Sequence, residues 1–269
     1  MRILSINDLS CIGKCSLSVT LPIVSACGVT CDVLPTAILS THTGGFLGYT
    51  FQDFTENMPN ILKHWETLGE KFDLIYSGYL GSKKQIETVL DIKRRFLKPN
   101  GILVVDPVMG DSGRLYSGFG EDFPTAMRSL CAQADFILPN QTEACLLADL
   151  PYPFDGKTLL ETLTEICPNP IITGVEEQAE CAVYFKDGIR AARYATEMKK
   201  GFFCGSGDVF ASAFVGTIAV GKEYSQAVKI ATDFTTACIR RSAIEVPDHR
   251  YGLNFEKEIP CLLKLLGKI

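Results

Sequence analysis

No apolar run in this chain reaches the length needed to span a bilayer, so no membrane-embedded segment is expected. Positive charge is not in excess either. The 26 Lys and Arg face 31 Asp and Glu, a net charge of −5, and nothing draws the chain toward nucleic acid or acidic lipid. The eleven cysteines contain no C-x-x-C pair; they are odd in number, scattered, and mostly set in apolar runs, as at Cys27, Cys131, Cys145, Cys167, Cys238 and Cys261. That pattern argues against a zinc or disulfide framework and for small buried hydrophobes. The opening Met1-Arg2-Ile3-Leu4-Ser5-Ile6-Asn7-Asp8 turns polar too soon for a signal peptide, which leads to the expectation of a cytoplasmic protein. No internal repeat and no linker rich in Pro, Gly or Ser interrupts the chain, so residues 1–269 are expected to form a single domain. A dinucleotide fold would need G-x-G-x-x-G directly after its first strand, and Asp8-Leu9-Ser10-Cys11-Ile12-Gly13 is not that. A nicotinamide oxidoreductase is thereby rejected.

What the chain does have is Gly205-Ser206-Gly207-Asp208, followed by an apolar run of small residues. Glycines there let the backbone turn tightly and gather several N–H groups at one point. If a helix starts at this place, its first amides lack internal partners and its dipole end is positive, a combination suited to a phosphoryl group. Asp208 then stands at the mouth of an anion site, able to take a proton from an attacking hydroxyl. On four residues alone, a glycine-rich cap with a favourable first-turn acid explains the stretch equally well.

The rest of the chain alternates strands and helices. Arg2–Asn7, Thr30–Thr36, Leu74–Ser77, Ile102–Asp106, Phe136–Leu138 and Ile171–Thr173 are expected strands. Helices are expected over Ser16–Cys27, about Asp53–Leu68, Ser82–Leu97, Glu121–Cys131, from Asn140, over Thr158–Ile166, from the glycine loop to Val220, over Ser225–Arg241 and from Asn254. Pro99-Asn100-Gly101 reads as a turn, and Lys186-Asp187-Gly188 as the tip of a hairpin. Such alternation favours an α/β fold with a mostly parallel central sheet. Ligands bind at the carboxyl ends of the strands of such a sheet. Asp8, Thr43, Tyr79, Asp106, Asp111, Asn140, Glu143, Thr173 and Asp208 all fall at or near those ends. Nine polar residues on one rim make the pattern of an active-site edge.

With five segments in order, the chain resembles the vitamin-kinase branch of the ribokinase-like superfamily, pyridoxal kinases in particular. They are Ser40-Thr41-His42-Thr43-Gly44, Ser77-Gly78-Tyr79-Leu80-Gly81-Ser82, Asp106-Pro107-Val108-Met109-Gly110-Asp111, Pro139-Asn140-Gln141-Thr142-Glu143 and Gly205-Ser206-Gly207-Asp208. The resemblance covers nearly the whole length and implies a three-layer α/β/α sandwich. It implies Asp208 as the base that activates a 5′-hydroxymethyl group, and the amides of Gly205, Ser206 and Gly207 as the anion hole. Asn140, Glu143 and Asp106 are implied around Mg²⁺. Asp106, Asp111, Asn140 and Thr173 are implied near the phosphates of ATP, and Asp8, Thr43 and Tyr79 against the vitamin ring. The stretch Asp111–Gly120 aligns with a lid over the phosphates. A monovalent cation such as K⁺ and a homodimer also belong to the resemblance.

The chain departs from the family at Asp8, where pyridoxal kinases usually carry serine. The hydroxymethylpyrimidine branch has an acid near this position, within a glycine-rich pattern that Leu9-Ser10-Cys11-Ile12-Gly13 lacks. Hydroxymethylpyrimidine kinase is therefore the second expectation, and a sugar or nucleoside kinase the third. A non-catalytic vitamin-binding protein on the same fold would tolerate loss of the base, yet Asp208, Asn140 and Glu143 are all present.

Overall fold

The computed structural model describes residues 1–199 and 201–269. Among these the strands are β1 (Arg2–Ile12), β2 (Thr30–Thr41), β3 (Phe51–Asp53), β4 (Phe72–Ser77), β5 (Leu97–Val105), β6 (Gly110–Asp111) and β7 (Arg114–Leu115). They continue with β8 (Phe136–Ile137), β9 (Asn169–Glu177), β10 (Glu180–Asp187) and β11 (Arg190–Glu197). The helices are α1 (Leu17–Ala26), α2 (Met58–Thr67), α3 (Lys83–Phe96), α4 (Phe123–Cys131), α5 (Gln141–Ala148), α6 (Gly156–Thr164), α7 (Ser206–Ala219), α8 (Tyr224–Glu245) and α9 (Ile259–Leu265). Nine strands make one sheet in the order β11-β10-β9-β8-β5-β4-β1-β2-β3. From β9 to β2 neighbouring strands pair in parallel, while β3, β10 and β11 add antiparallel margins.

Helices cover both faces of this sheet, giving the three-layer sandwich. On one face Ile3, Tyr76 and Val104 pack with α1, α7 and α8; on the other Leu4, Ile75 and Leu103 pack with α2 to α6. Strands buried on both sides read as continuous apolar runs, which is why Leu74–Ser77 and Ile102–Val105 showed no alternation. Helix α7 is apolar almost all round, and Val209 through Ala219 is buried, because it lies between the sheet, α1 and α8. No helix of the described residues is long and apolar enough to cross a membrane.

Several boundaries differ from expectation, each for a tertiary reason. β1 and β2 run on beyond the end of β4, with Leu9 opposite Ile38 and Ile12 opposite Thr41. The pairing slips by one residue between Asn7 and Leu9, so Asp8 sits inside a strand and not after one. Phe51–Asp53 pairs with Ala37–Leu39, which delays the next helix to Met58. Pro99-Asn100-Gly101 stays within β5, with Asn100 left-handed at φ 63° and the β4–β5 register shifting opposite it. The terminal helix begins at Ile259, after a 3₁₀ turn at Phe255–Glu258, with Pro260 in its first turn where no N–H is needed. The expected lid folds as the ribbon β6–β7.

Gly216 lies where α7 meets α1, and a Cβ there would stand 2.7 Å from Cys27 Sγ and 3.2 Å from Cys27 Cβ. Gly216→Ala is therefore expected to lose about 1–3 kcal/mol to overpacking, although alanine favours a helix. Urea unfolding measures it, and a variant as stable as the parent would mean that the two helices can separate freely.

Candidate active site

The site is built on the first turn of α7. Gly205 is its N-cap with φ 76°, and a Cβ at this position would lie 2.3 Å from the Lys14 carbonyl oxygen. Only glycine permits both the left-handed turn and this approach. Among the described residues, the N–H groups of Gly205, Gly207 and Asp208 have no acceptor, and Ser206 N–H has only the Phe203 carbonyl at 3.4 Å. Gly207 is exposed, with open space around it. Unpaired amides thus lie at the positive end of a 14-residue helix, the arrangement that an anion site requires.

Asp208 is half-buried in that first turn, and its pKa is pushed up to about 7. Loss of hydration is the main cause; Asp8 adds to it, while a hydrogen bond from the Ser16 amide opposes it. A carboxylate tuned this way is poised to accept a proton near neutrality. Asp8 is almost wholly buried, and burial raises its pKa as well. Its oxygens accept from Ser16 Oγ at 2.5 Å and Ser10 Oγ at 3.4 Å. Asp8 therefore braces the β1–α1 loop and acts on Asp208 through its charge.

Across the rim, Asn140 caps α5 and forms a reciprocal capping box with Glu143. The Glu143 N–H donates to Asn140 Oδ1 at 2.9 Å, and the Asn140 N–H donates to Glu143 Oε2 at 2.9 Å. Glu143 Oε1 also accepts from the Met109 N–H at 3.1 Å, and Asn140 Nδ2 donates to the Gly110 carbonyl at 2.9 Å. Glu143 is thus a capping-box acid, with lone pairs left on both oxygens. It is nearly inaccessible, and burial lifts its pKa to about 8. Asp106, equally buried at the end of β5, is raised well above the carboxylate range by burial and then by the charges of Glu143 and Asp208. Two desolvated carboxyl groups held near each other suit a cation. Among the described residues no group of three His, Cys, Asp or Glu is arranged to hold a metal alone. The donor set therefore fits a hard cation that keeps waters and borrows further oxygens from a ligand. Thr173 bridges to Asn140 in parallel fashion and donates its N–H to the Pro139 carbonyl at 2.9 Å. Asp111 lies in β6, half-buried, with one oxygen taken by the Ser112 N–H at 2.7 Å.

The other ring of residues is looser. Tyr79 is half-buried, its N–H donating to Asn7 Oδ1 at 2.8 Å and its ring 5.9 Å from Phe119 of the segment after β7. Thr43 is exposed in the loop between β2 and β3. Three features here take their place only from the tertiary structure. The buried Cys204 thiol is pulled down to about 5, chiefly by the neighbouring Cys15 thiol. His42 is buried, and its Nε2 is 2.6 Å from the Arg250 carbonyl oxygen, 208 positions away. The segment around Arg250 carries no motif, so nothing in the sequence pointed to it.

Comparison with known proteins finds the chain similar to kinases of small ring compounds. A family model described as phosphomethylpyrimidine kinase matches residues 24–253. A Bacteroides thetaiotaomicron protein described as a phosphomethylpyrimidine kinase is 37% identical, with 97% of this chain and 93% of that one covered at a TM-score of 0.93. A second crystal form of it, with pyridoxal, superposes with a TM-score of 0.91. The pyridoxal kinase of Lactobacillus plantarum is 31% identical, covers 98% of this chain and 97% of its own, and has a TM-score of 0.91. Among curated relatives, the chloroplastic bifunctional thiamine-biosynthetic enzyme of Arabidopsis thaliana is 26% identical over 87% of this chain. The match spans about half the length of that relative, 47%.

The charge coupling between Asp8 and Asp208 can be measured directly. A ¹³C-NMR titration of the Asp208 carboxyl is expected to have its midpoint near pH 7. In Asp8→Asn the midpoint is expected to fall, because a neighbouring negative charge is gone. A midpoint that stays put would detach Asp8 from the base.

Proposed function

The chain belongs to the phosphomethylpyrimidine kinase family, and from that we propose that it transfers a phosphoryl group from ATP to the 5′-hydroxymethyl group of a vitamin B6 vitamer: pyridoxal, pyridoxamine or pyridoxine. The observation that carries the proposal is Asp208, tuned near neutrality, in the same helical turn as unpaired amides. Asp208 takes the proton from the attacking hydroxyl. The amides of Gly205, Ser206 and Gly207 then receive the charge on the transferring phosphoryl oxygens in a site that needs no rearrangement. Positioning and charge neutralisation carry most of such a reaction. Mg²⁺, when bound, supplies further neutralisation of the phosphate charge, and Asp106, Glu143 and Asn140 are the residues that would hold it, in part through water. Asp111 and Thr173 border the same phosphate side, and Thr43 and Tyr79 the vitamin side. The L. plantarum pyridoxal kinase and the pyridoxal-containing B. thetaiotaomicron crystal favour the B6 substrate. The homodimer of the resemblance is retained as part of the proposal, with light scattering in solution as its check.

Hydroxymethylpyrimidine phosphorylation is the second reading, favoured by the family description and by the thiamine-biosynthetic relative. A turnover panel of the three B6 vitamers and hydroxymethylpyrimidine with MgATP separates the two. A kcat/KM higher for hydroxymethylpyrimidine than for every B6 vitamer would reverse the assignment.

Two variants test the machinery. Asp208→Asn is expected to keep its fold and ATP binding while losing about 10²–10⁴ in turnover, the usual cost of removing a general base. In the parent, kcat/KM should climb as pH rises through about 7, since the raised pKa leaves Asp208 protonated, and idle, below that value. Activity within about threefold of the parent would remove Asp208 from the chemistry. Glu143→Gln is expected to shift the Mg²⁺ dependence to higher concentration with little change in vitamer KM. An unaltered Mg²⁺ curve would leave Glu143 with the capping box alone.

A further inference from the structure

We infer that His42 is the positioning residue of the vitamin side of the site, a keystone that fastens its own loop to three others. For its substrate this rests on the B6 reading above; for its mechanics it rests on geometry. His42 is only 7% exposed. The Gly44 N–H donates to Nδ1 at 3.1 Å, so Nδ1 carries the lone pair, and Nε2–H donates to the Arg250 carbonyl at 2.6 Å. Both ring nitrogens are thereby committed to backbone, which leaves no free group for proton transfer to a substrate.

The ring's faces and edges are occupied as fully as its nitrogens. A Cβ on Gly13 would lie 2.5 Å from His42 Cδ2, so the β1–α1 loop must present glycine to it. Phe46 meets the ring edge-on, with centroids 5.0 Å apart. Cys204 Sγ, beside the anion hole, is 3.9 Å from Nδ1. One side chain thus touches the loops that contain residues 13, 44–46, 204 and 250.

Segment 248–252 completes the fastening. The Lys14 N–H donates to the Tyr251 carbonyl at 3.1 Å, and Arg250 Nη1 donates to the Gly45 carbonyl at 3.1 Å. The Arg250 guanidinium lies 5.2 Å over Phe46, which also packs edge-on against Tyr251. His249 stacks on Phe203 at 4.5 Å, just before the glycine turn. Thr43 depends on this assembly: it is exposed, and among the described residues its one hydrogen bond is the 2.9 Å bond from the Gly45 N–H to its carbonyl. Asp106, Asn140 and Glu143 belong to the other side, where Asn140 and Glu143 are held by Gly110, Met109 and each other. Loss of His42 should therefore loosen the vitamin side and spare the nucleotide side.

The experiment pairs steady-state kinetics with hydrogen–deuterium exchange on the full chain. In His42→Ala the vitamer KM is expected to rise about tenfold, on the order of one buried hydrogen bond lost, while kcat and the KM for ATP stay within about threefold. Peptides covering 43–47 and 248–251 should exchange faster, with those of β4 and β5 unchanged. His42→Gln, whose amide can reach the Arg250 carbonyl, should recover much of both effects. Should His42→Ala not fold, His42→Asn, which keeps the acceptor for Gly44 but is too short for Arg250, takes its place with the same expectations. A vitamer KM within about twofold of the parent, unaltered exchange in both loops, or a loss confined to kcat and melting temperature overturns the assignment. If the parent enzyme turns over no B6 vitamer, the substrate reading fails, and exchange at 43–47 and 248–251 still decides the role of His42.

Discussion

The approach of Gly205 to the Lys14 carbonyl is the constraint on which the site depends. It seats the first turn of α7 directly against the loop that leaves β1, at a distance no side chain would allow. Once the turn is seated, the unpaired amides, Asp208 and the Ser16 amide converge on one point. The same contact places Cys204 between Cys15 and His42, so the anion hole is framed by groups from three distant stretches of chain. α7 itself cannot shift to relieve the approach, because its length is enclosed by the sheet, α1 and α8.

Electrostatically the site is an accumulation of acids that the fold tolerates without salt bridges. Asp8, Asp106, Glu143 and Asp208 are all raised in pKa, in each case chiefly by burial. None of the ion pairs of the described residues involves any of them. On the proposed function, a cation beside Asp106 and Glu143 and anionic phosphate oxygens at the amides of α7 would be the two charges this arrangement receives. The strain of unpaired burial is kept where ligand binding relieves it.

The two sides of the site are built on different principles. On the phosphate side, Asn140 and Glu143 are locked by local bonds within four residues of sequence and by the backbone of 109–110. On the proposed vitamin side, Thr43 rides on a loop tied to the rest of the chain through His42 and Arg250, by partners far away in sequence. Local capping makes the first rigid and plainly marked in sequence. Long-range fastening leaves the second without a local mark in the sequence.

That contrast sets what was legible. The parallel order of strands, the caps at Ser82 and Asn140 and the glycine turn at 205 follow from short-range chemistry, and each could be read from a few neighbouring residues. The extension of β1 and β2 beyond Asn7 and Thr36 could not, because it comes from their pairing with each other. Nor could the capping-box engagement of Glu143 be separated in advance from metal binding, since one spacing serves both. The sequence by itself determined the layers and the glycine turn that carries Asp208, because periodicity and turn chemistry act over a few residues. Only the tertiary structure decided the pKa of Asp208, the bracing task of Asp8 and the central place of His42. Burial, charge proximity and a hydrogen bond across 208 positions exist only after the chain has closed on itself.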